Sequence, residues 1–315
     1  MFLEYLYDMK VKHKKKIIII ILILLINTIS ICWYFHAKKT AVPEPFIKLY
    51  LHNQDTVIGM DLEEYIKGTV AAEMPASFEI EALKAQAVCA RTYAIKKLMA
   101  NPSYPKGANL SDDINSCQAF VSSPNFDIEN PARADLLKRI DQAVESTRGE
   151  IILYDSQPID ALYCSTCGGR TESSEAVWGG KIDYLSSVKC GDCEESVHYQ
   201  EKTTIKNEII NKVVNDKGNA LKIKILSRTP GGRPKKLSIN THEIDATILR
   251  KALNLPSNWM EFESSSSSTI IRTRGYGHGV GLCQYGANGM AQRGKDYHQI
   301  LKKYYKGISF YKLTY

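Results

Sequence analysis

Glu73 is the residue of this chain whose surroundings best suit proton transfer. It lies in the segment Val-Ala-Ala-Glu-Met-Pro at 70–75, among apolar neighbours at the predicted end of a helix. Withdrawing a carboxyl group from water disfavours its charged form, so its pKa rises and it can act as a general acid near neutral pH. The same pattern also fits a surface acid on a short helix.

Two polar residues in the next predicted helix bear on this choice. Gln86 and Arg91 lie in a tightly packed, alanine-rich stretch, where polar groups need partners or a cavity. Arg91 is predicted to place its guanidinium near Glu73 or a sugar hydroxyl, or else to form a structural salt bridge.

His278 is a second polar centre, within a glycine-rich segment. Glycine occupies every second position of Gly275-Tyr-Gly-His-Gly-Val-Gly281, and Gln284 follows shortly after. On a strand, such glycines leave one face without side chains and permit close approach of a ligand or another backbone. No Gly-x-Gly-x-x-Gly spacing fits, so a phosphate loop is not predicted. A catalytic role and the structural role typical of a single histidine are both open.

Four cysteines have the spacing of metal ligands. Cys164-x2-Cys167 and Cys190-x2-Cys193 are separated by 22 residues, slightly more than in usual zinc ribbons. Two such turns can offer four thiolates to one tetrahedral Zn²⁺, which would be structural because no coordination position stays open. Disulfides and free thiols are the alternatives in an exported protein, and His198 is a substitute for one sulfur. No organic cofactor is predicted.

The elements that must position these residues are mostly helices early and strands later. Helices are predicted at 61–74, 77–99, 131–147, 244–252, 281–293 and 297–305, and strands at 46–51, 149–154, 159–164, 221–227, 235–240, 269–273 and 308–313. Asp61 with Glu64 forms a predicted capping box, and Pro75 stops the first helix. The run Ser264–Ser268 is predicted to be a flexible loop. This order indicates an α+β fold rather than alternating βαβ units.

An uncharged apolar run at the N-terminus predicts a membrane anchor. Residues 17–35 are long enough to cross a bilayer, and five lysines precede them within 10–16. By the positive-inside rule, 1–16 is then a cytoplasmic tail, 36–45 a linker, and 46–315 one exported catalytic domain of a single-pass cell-membrane protein. A cleaved signal peptide is the alternative, although no clean cleavage site follows.

The positive charge of the chain belongs to this N-terminal segment. The formal net charge is +7, of which residues 1–39 carry +5. The remainder has no basic excess typical of nucleic-acid binding, so no nucleic-acid partner is predicted.

Three separated motifs resemble the stage II sporulation protein D family. The first is Val70-Ala-Ala-Glu-Met-Pro-Ala-Ser-Phe78 with Glu81-Ala-Leu-Lys-Ala-Gln-Ala-Val88 and Ala90-Arg-Thr-Tyr93. The middle one comprises Tyr163-x-Ser165, Gly168-Gly169-x-Thr171, Val177-Trp178 and Tyr184-Leu-x-Ser-Val188. The last is Gly277-His-Gly-Val-Gly281 with Gln284-Tyr-Gly-Ala287. Together they cover roughly residues 46–313 in motif order.

The resemblance implies a lytic transglycosylase of peptidoglycan that works in engulfment during endospore formation. Such enzymes cut the MurNAc–GlcNAc β-1,4 bond and leave a 1,6-anhydro-MurNAc end. Glu73 matches the catalytic acid of the family, and the implied substrate-binding positions are Arg91, Gln86, Ser165, Tyr184, Ser187, His278 and Gln284. The implied partners are glycan strands stripped of peptides, a cell-wall amidase and membrane proteins of an engulfment complex.

Two positions depart from the family pattern, and a second function is open. Ser186 stands where a lysine is common, which weakens the contact inferred beside Tyr184, and Cys283 stands where serine is usual. The CxxC pairs are not part of the general pattern, so zinc rests on this sequence alone.

Related proteins are enhancers of cell-wall amidases, so a non-catalytic glycan-binding activator is the alternative. A zinc hydrolase has no ligand set here with an open position.

Overall fold

The computed structural model describes residues 22–31, 42–122, 131–216 and 221–315, without the side chains of 131–133. They fall into two compact units, of which the larger comprises Pro45–Leu313. In the smaller unit, residues 22–31 form helix α1. The predicted tail 1–16 lies outside the described residues, as do both flanks of the predicted membrane helix 17–35 and most of the linker. Within the described ranges, no helix is both long and apolar enough to cross a bilayer.

The larger unit mixes helices with several small sheets. Its α-helices are α2 (Leu62–Glu73), α3 (Ile80–Ala100), α4 (Pro131–Ser146), α5 (Ser174–Trp178), α6 (Asn207–Val213), α7 (Ala246–Ala252), α8 (Gln284–Gln292) and α9 (Tyr297–Tyr304). The predicted helices are confirmed to within a few residues, whereas α5 and α6 are additional. The mixed helical and β composition predicted from the sequence is confirmed.

The strands of the larger unit pair into five small sheets among the described residues. They are β1 (Phe46–Leu51), β2 (Thr56–Asp61), β3 (Leu110–Ser111), β4 (Glu150–Tyr154), β5 (Gln157–Pro158), β6 (Tyr163–Cys164), β7 (Glu201–Lys206), β8 (Ile223–Arg228), β9 (Pro234–Ile239), β10 (His242–Asp245), β11 (Met260–Ser264), β12 (Ser268–Thr273), β13 (Leu282–Cys283) and β14 (Ser309–Lys312). The sheet orders are β2-β1-β3, β10-β9-β8, β11-β12-β7, β13-β6 and β14-β4-β5.

Helix α3 is the centre of the part that carries the candidate site. Its small side chains are buried along most of its length, including Ala82, Ala85, Ala87, Ala90 and Ala94. Small residues let neighbouring backbones approach closely, and α3 contacts α2, α4, α8 and α9. Helix α2 ends before Pro75, which has no backbone N–H to continue it. The side chain of Asp61 makes no capping hydrogen bond, so the predicted capping box is wrong.

Residues 201–273 have a hydrophobic cluster of their own. We call this region the inserted module. It contains β7–β12 with α6 and α7, and its core includes Ile210, Leu237, Leu249 and Ile271. The first and last strands, β7 and β12, are antiparallel partners, so the chain enters and leaves the module side by side.

Two sequence predictions about strands are wrong. The predicted strand 159–164 is irregular except at Tyr163–Cys164, where β6 pairs with β13. The glycine-rich segment is not a strand, because Gly275, Gly277, Gly279 and Gly281 all have positive φ.

The loop predicted at Ser264–Ser268 is a tight turn between β11 and β12. A 2.8 Å hydrogen bond from Ser265 N–H to the Ser268 carbonyl closes it.

Candidate functional site

A cavity of about 490 Å³ collects residues from four parts of the larger unit. Its wall includes Glu73 at the end of α2, Tyr163 on β6, His278 in the glycine-rich segment and Gln284 at the start of α8. The chain segments that resemble three separate family motifs therefore meet at one place.

Glu73 is a half-buried carboxyl group without a cationic partner. Among the described residues, no lysine, arginine or histidine forms an ion pair with it. Burial raises its pKa above the usual glutamate value, partly opposed by a hydrogen bond from Ala119 N–H and one involving Tyr163. Glu73 Oε1 accepts the Ala119 hydrogen bond at 2.7 Å. These contacts fix the direction of the carboxyl group, while burial favours the protonated form.

Strand β6 lines the cavity, and a two-residue ladder with β13 holds it in place. Leu282 pairs with Tyr163 in parallel register. The residues before them, Gly281 and Leu162, bring the two backbones very close together. A Cβ at Gly281 would lie 1.9 Å from the Leu162 carbonyl oxygen, and Gly281 has φ of 76°. Only glycine is accommodated here. The close approach predicted for the glycine-rich segment is thus confirmed, although it occurs in an irregular segment and not on a strand.

His278 lies in the cavity wall as a neutral imidazole. Its Nδ1 accepts a 3.1 Å hydrogen bond from Val280 N–H, and its ring also bonds to the Tyr163 main chain. Burial lowers the pKa of His278 to about 4, with a smaller contribution from the positive charges of Arg250 and Arg233. An imidazole of this kind cannot serve as the acid at neutral pH. It can orient a ligand and support the wall.

Two exposed aromatic rings border the cavity, and the predicted set of site residues omits both. Trp178 is 54% exposed and Tyr276 is 49% exposed. The Trp178 ring packs on His278 with centroids 5.3 Å apart. Flat amphipathic rings at the mouth of a polar cavity offer apolar surface together with a hydrogen-bonding edge. Trp178 already stands in a family motif, whereas nothing in the sequence singles out Tyr276.

The remaining predicted ligand contacts divide into residues at the cavity and residues away from it. Ser165 and Gln284 line the cavity. Gln86 is fully buried behind it, where its Oε1 accepts a 3.2 Å hydrogen bond from Gln284 Nε2. Gln86 therefore positions Gln284 and does not face the cavity itself.

Arg91 is not placed where it can contact a ligand. Its side chain is 0% exposed, and Nε and Nη2 donate to the two carboxylate oxygens of Glu63 at 2.8 and 2.7 Å. Two further bonds go to the carbonyls of Glu150 and Val144. The predicted substrate contact is replaced by the salt bridge that was its alternative.

Tyr184 and Ser187 also make internal contacts outside the cavity wall. The Tyr184 hydroxyl accepts from Asp160 N–H at 2.9 Å and donates to Asp160 Oδ2 at 3.2 Å. Ser187 Oγ donates to the Thr171 carbonyl at 2.7 Å. Both side chains hold neighbouring loops together, so their match to the family motif reflects the fold of this chain and not an exposed contact surface.

The structure gathers a different set of four cysteines from the one predicted. Cys167, Cys190 and Cys193 are joined by Cys283, and the four Sγ atoms all lie within 4.8 Å of one another. Cys164 pairs with Cys283 on the β6–β13 ladder but lines the cavity instead. The ladder brings Cys283 to the group from a distant part of the chain, beyond the reach of a spacing argument. His198 instead bonds to Glu201.

Comparison with known proteins gives this geometry a family. The sequence model of the stage II sporulation protein family matches residues 50–154. Stage II sporulation protein D of Bacillus subtilis is 39% identical over 266 residues, covering 83% of this chain and 77% of the relative. The protein of the same name from Bacillus amyloliquefaciens is 37% identical, covering 86% and 82%.

The chain belongs to the stage II sporulation protein D family. The family takes part in sporulation, which agrees with the resemblance of the three motifs. An amidase enhancer of Bacillus subtilis is also related, at 29% identity over 78% of this chain and 40% of that protein. The name of this last relative connects that protein with an amidase.

Proposed function

We propose that this chain is a peptidoglycan lytic transglycosylase. It cleaves the β-1,4 bond between MurNAc and GlcNAc and leaves a 1,6-anhydro-MurNAc end. The observation that carries the proposal is that the cavity has a single carboxylic acid. Of the described residues lining it, Glu73 is the only one with a carboxyl side chain.

A single carboxyl group suffices for this chemistry but not for ordinary glycoside hydrolysis. Retaining and inverting hydrolases use a second carboxylate as nucleophile or as the base that activates water. In a transglycosylase the substrate supplies its own nucleophile, the C6 hydroxyl of MurNAc. The cavity therefore needs one group that gives a proton and then takes one.

In the proposed reaction, protonated Glu73 first donates its proton to the glycosidic oxygen. The bond from that oxygen to C1 of MurNAc breaks, and GlcNAc leaves with a free hydroxyl group. The resulting carboxylate of Glu73 then removes the proton from the C6 hydroxyl while O6 bonds to C1. The carboxyl group returns to its starting form, and no water is consumed. The raised pKa of Glu73 supports the first step, because burial keeps the acid protonated at higher pH.

The surroundings of Glu73 support binding of the hydroxyl and acetamido groups of a sugar chain. The amide of Gln284 and the Ser165 hydroxyl offer hydrogen bonds to hydroxyl or acetamido groups, and the rings of His278 and Trp178 offer surface for van der Waals contact. We propose Ser165, His278 and Gln284 as substrate contacts, with Gln86 positioning Gln284.

A second candidate function is activation of a cell-wall amidase through binding of glycan. The relation to an amidase enhancer favours it. Both functions place the chain beside an amidase, which removes stem peptides and so supplies the naked glycan on which a transglycosylase acts. We propose that this takes place in a membrane complex during engulfment.

The deciding experiment uses the purified full-length chain with peptide-free glycan strands and no partner. Mass spectrometry of the products should show 1,6-anhydro-MurNAc ends from wild type and none above background from Glu73→Gln. Reducing ends would mean that water is the nucleophile and would overturn the proposal. Binding without cleavage by wild type would favour the enhancer function.

We also propose that residues 46–315 work outside the cytoplasm, attached by 17–35 to the cell membrane. The lysine cluster within 10–16 supports this orientation. Protease added outside intact protoplasts should digest the large unit and leave a small protected fragment. Complete protection would contradict this orientation.

A further inference from the structure

The four gathered cysteines belong to three separate chain segments. Cys167 follows β6, Cys190 and Cys193 lie in the loop after α5, and Cys283 ends β13. All four are buried, with exposures of 0 to 1%. Their sulfur atoms are free thiols within 4.8 Å of one another. Sequence spacing alone brings Cys190 and Cys193 close together. It does not explain why Cys283, which is distant in the sequence, lies beside them.

The sulfur separations fit a metal better than they fit disulfides. In a tetrahedral site with Zn–S bonds of roughly 2.3 Å, two sulfurs lie about 3.8 Å apart. Cys167 Sγ and Cys193 Sγ are 3.8 Å apart. Two sulfurs joined in a disulfide would lie at about 2.05 Å. One sulfur–sulfur distance therefore equals that of a tetrathiolate site, and the other five are at most 4.8 Å.

Hydrogen bonds toward the sulfurs add independent support. Cys283 Sγ accepts from the backbone N–H groups of Cys167 and Gly286, both at 3.3 Å. Cys190 Sγ lies 3.2 Å from the Tyr304 hydroxyl. Donors around metal-bound sulfur orient the ligands and stabilise their negative charge. They are less suited to neutral thiols, which are weak acceptors.

The packing around the four cysteines leaves no room for a side chain at Gly286. A Cβ at Gly286 would lie 2.5 Å from Cys190 Sγ and 2.2 Å from the Tyr304 hydroxyl. The first turn of α8 thus rests directly on the sulfur group. Anything that moves the sulfurs apart must also move this turn.

We propose that Cys167, Cys190, Cys193 and Cys283 hold one structural Zn²⁺. Each thiol that binds releases its proton to solvent, so the site forms as four thiolates. With four protein ligands the metal has no open position and takes no direct part in chemistry. Cys164, which sequence spacing puts in the ligand set, is outside it.

The site would act as a brace for the cavity wall. Cys283 immediately precedes Gln284, and its strand pairs with the strand of Tyr163. Fixing Cys283 to the loop of Cys190 and Cys193 therefore fixes two residues of the cavity. The metal would therefore position the cavity residues indirectly, by fixing strand β13.

The test compares two matched cysteine variants of the full-length chain. Elemental analysis of wild type should find about one zinc per chain, and Co²⁺ exchanged into it should show thiolate-to-cobalt absorption. Cys283→Ser should lose most of the metal, whereas Cys164→Ser should keep it. Loss from Cys164→Ser with retention by Cys283→Ser would overturn the ligand set in favour of the sequence prediction.

Two measurements on wild type keep the test decisive if Cys283→Ser fails to fold. Alkylation under native conditions, followed by mass spectrometry, should leave the four proposed ligands unmodified until a chelator is added. Intact disulfides among them, or metal-free thiols, would overturn the proposal. Neither result depends on glycan cleavage, so the proposed enzyme activity stands or falls separately.

Discussion

Helix α2 carries a buried acid, Glu63, near its start and a half-buried acid, Glu73, at its end, and the two acids are in opposite situations. Glu63, in the first turn, meets the guanidinium of fully buried Arg91 through two hydrogen bonds and also accepts from Gly149 N–H at 3.1 Å. Glu73, the last residue of the helix, has no cationic partner in the described part of the chain and faces a cavity.

In these two acids, a cationic partner accompanies the structural role, and the lack of one accompanies the role that we propose to be catalytic. A buried ion pair holds both groups charged and immobile, and removing one partner is costly. A desolvated acid without a cation favours its neutral form and can exchange a proton. Four experiments break or sharpen this contrast.

The largest effect is expected from Glu73→Gln. The amide preserves size and one hydrogen-bonding edge but carries no transferable proton. Glycan cleavage should fall by about 10²–10⁴-fold or more, since general acid–base catalysis contributes on that scale. The melting temperature should stay close to that of wild type. A variant that still cleaves at half the wild-type rate would remove Glu73 from the mechanism.

At the start of α2, the partner of Glu63 is Arg91 on α3, and Arg91→Met should act on stability. It leaves the Glu63 carboxylate buried without its partner, which costs about 3–5 kcal/mol in comparable cases. Urea unfolding measures the loss.

The matched control for Arg91→Met is Lys67→Ala, which breaks the more exposed ion pairs from Lys67 on α2 to Asp141 and Glu145 on α4. Exposed pairs contribute about 0–1 kcal/mol. The double variant Glu63→Leu with Arg91→Met should recover much of the loss, because no charge stays buried. Equal losses for Arg91→Met and Lys67→Ala would contradict the structural role.

The pH dependence should separate the two acids as well. Glu73 has a higher pKa in the folded chain than the reference value of 4.5, so the folded state binds more protons between the two values. Stability of wild type relative to Glu73→Gln should therefore decline as pH rises through that window, and cleavage should decline above the folded pKa. Urea titrations and initial rates across pH measure both. A cleavage rate that rises steadily through this range would contradict the role of acid.

The smallest effect is expected at the rim of the cavity. Trp178→Ala removes an aromatic face and should raise KM more than it lowers kcat, because the ring is remote from the proton transfer. Tyr311→Ala is a control of similar exposure, 55%, on β14 outside the cavity wall. Steady-state kinetics on purified glycan distinguish them. Equal KM values for the two variants would show that Trp178 does not contact substrate.

Sequence patterns predict the helices of this chain well because local signals define them. Pro75 stops α2, and the alanine-rich stretch after it indicates a close-packed helix. The strands β2, β3, β5, β7, β10, β11 and β13 escape prediction. They acquire their pairing partners only in the folded chain, so tertiary contacts decide them.

The role of a site residue can be predicted where its neighbours in the sequence indicate that role. It cannot be predicted where the role depends on a partner that is distant in the sequence. Glu73 stands out through its neighbours in sequence. The role of Arg91 depends on Glu63, which lies 28 residues away. Cys283 is 116 residues from Cys167, so no spacing rule for CxxC pairs includes it.

The hydrogen bond between Gln284 and Gln86 has a consequence for folding. It joins residues 198 positions apart, and the bond between Asn288 and Glu79 spans 209. Closing such long loops delays folding, because chain entropy is lost before the contacts can form. During synthesis the cavity residues of α2 and β6 are made long before Gln284. The proposed glycan-cutting site cannot assemble on a nascent chain that has not yet reached Gln284.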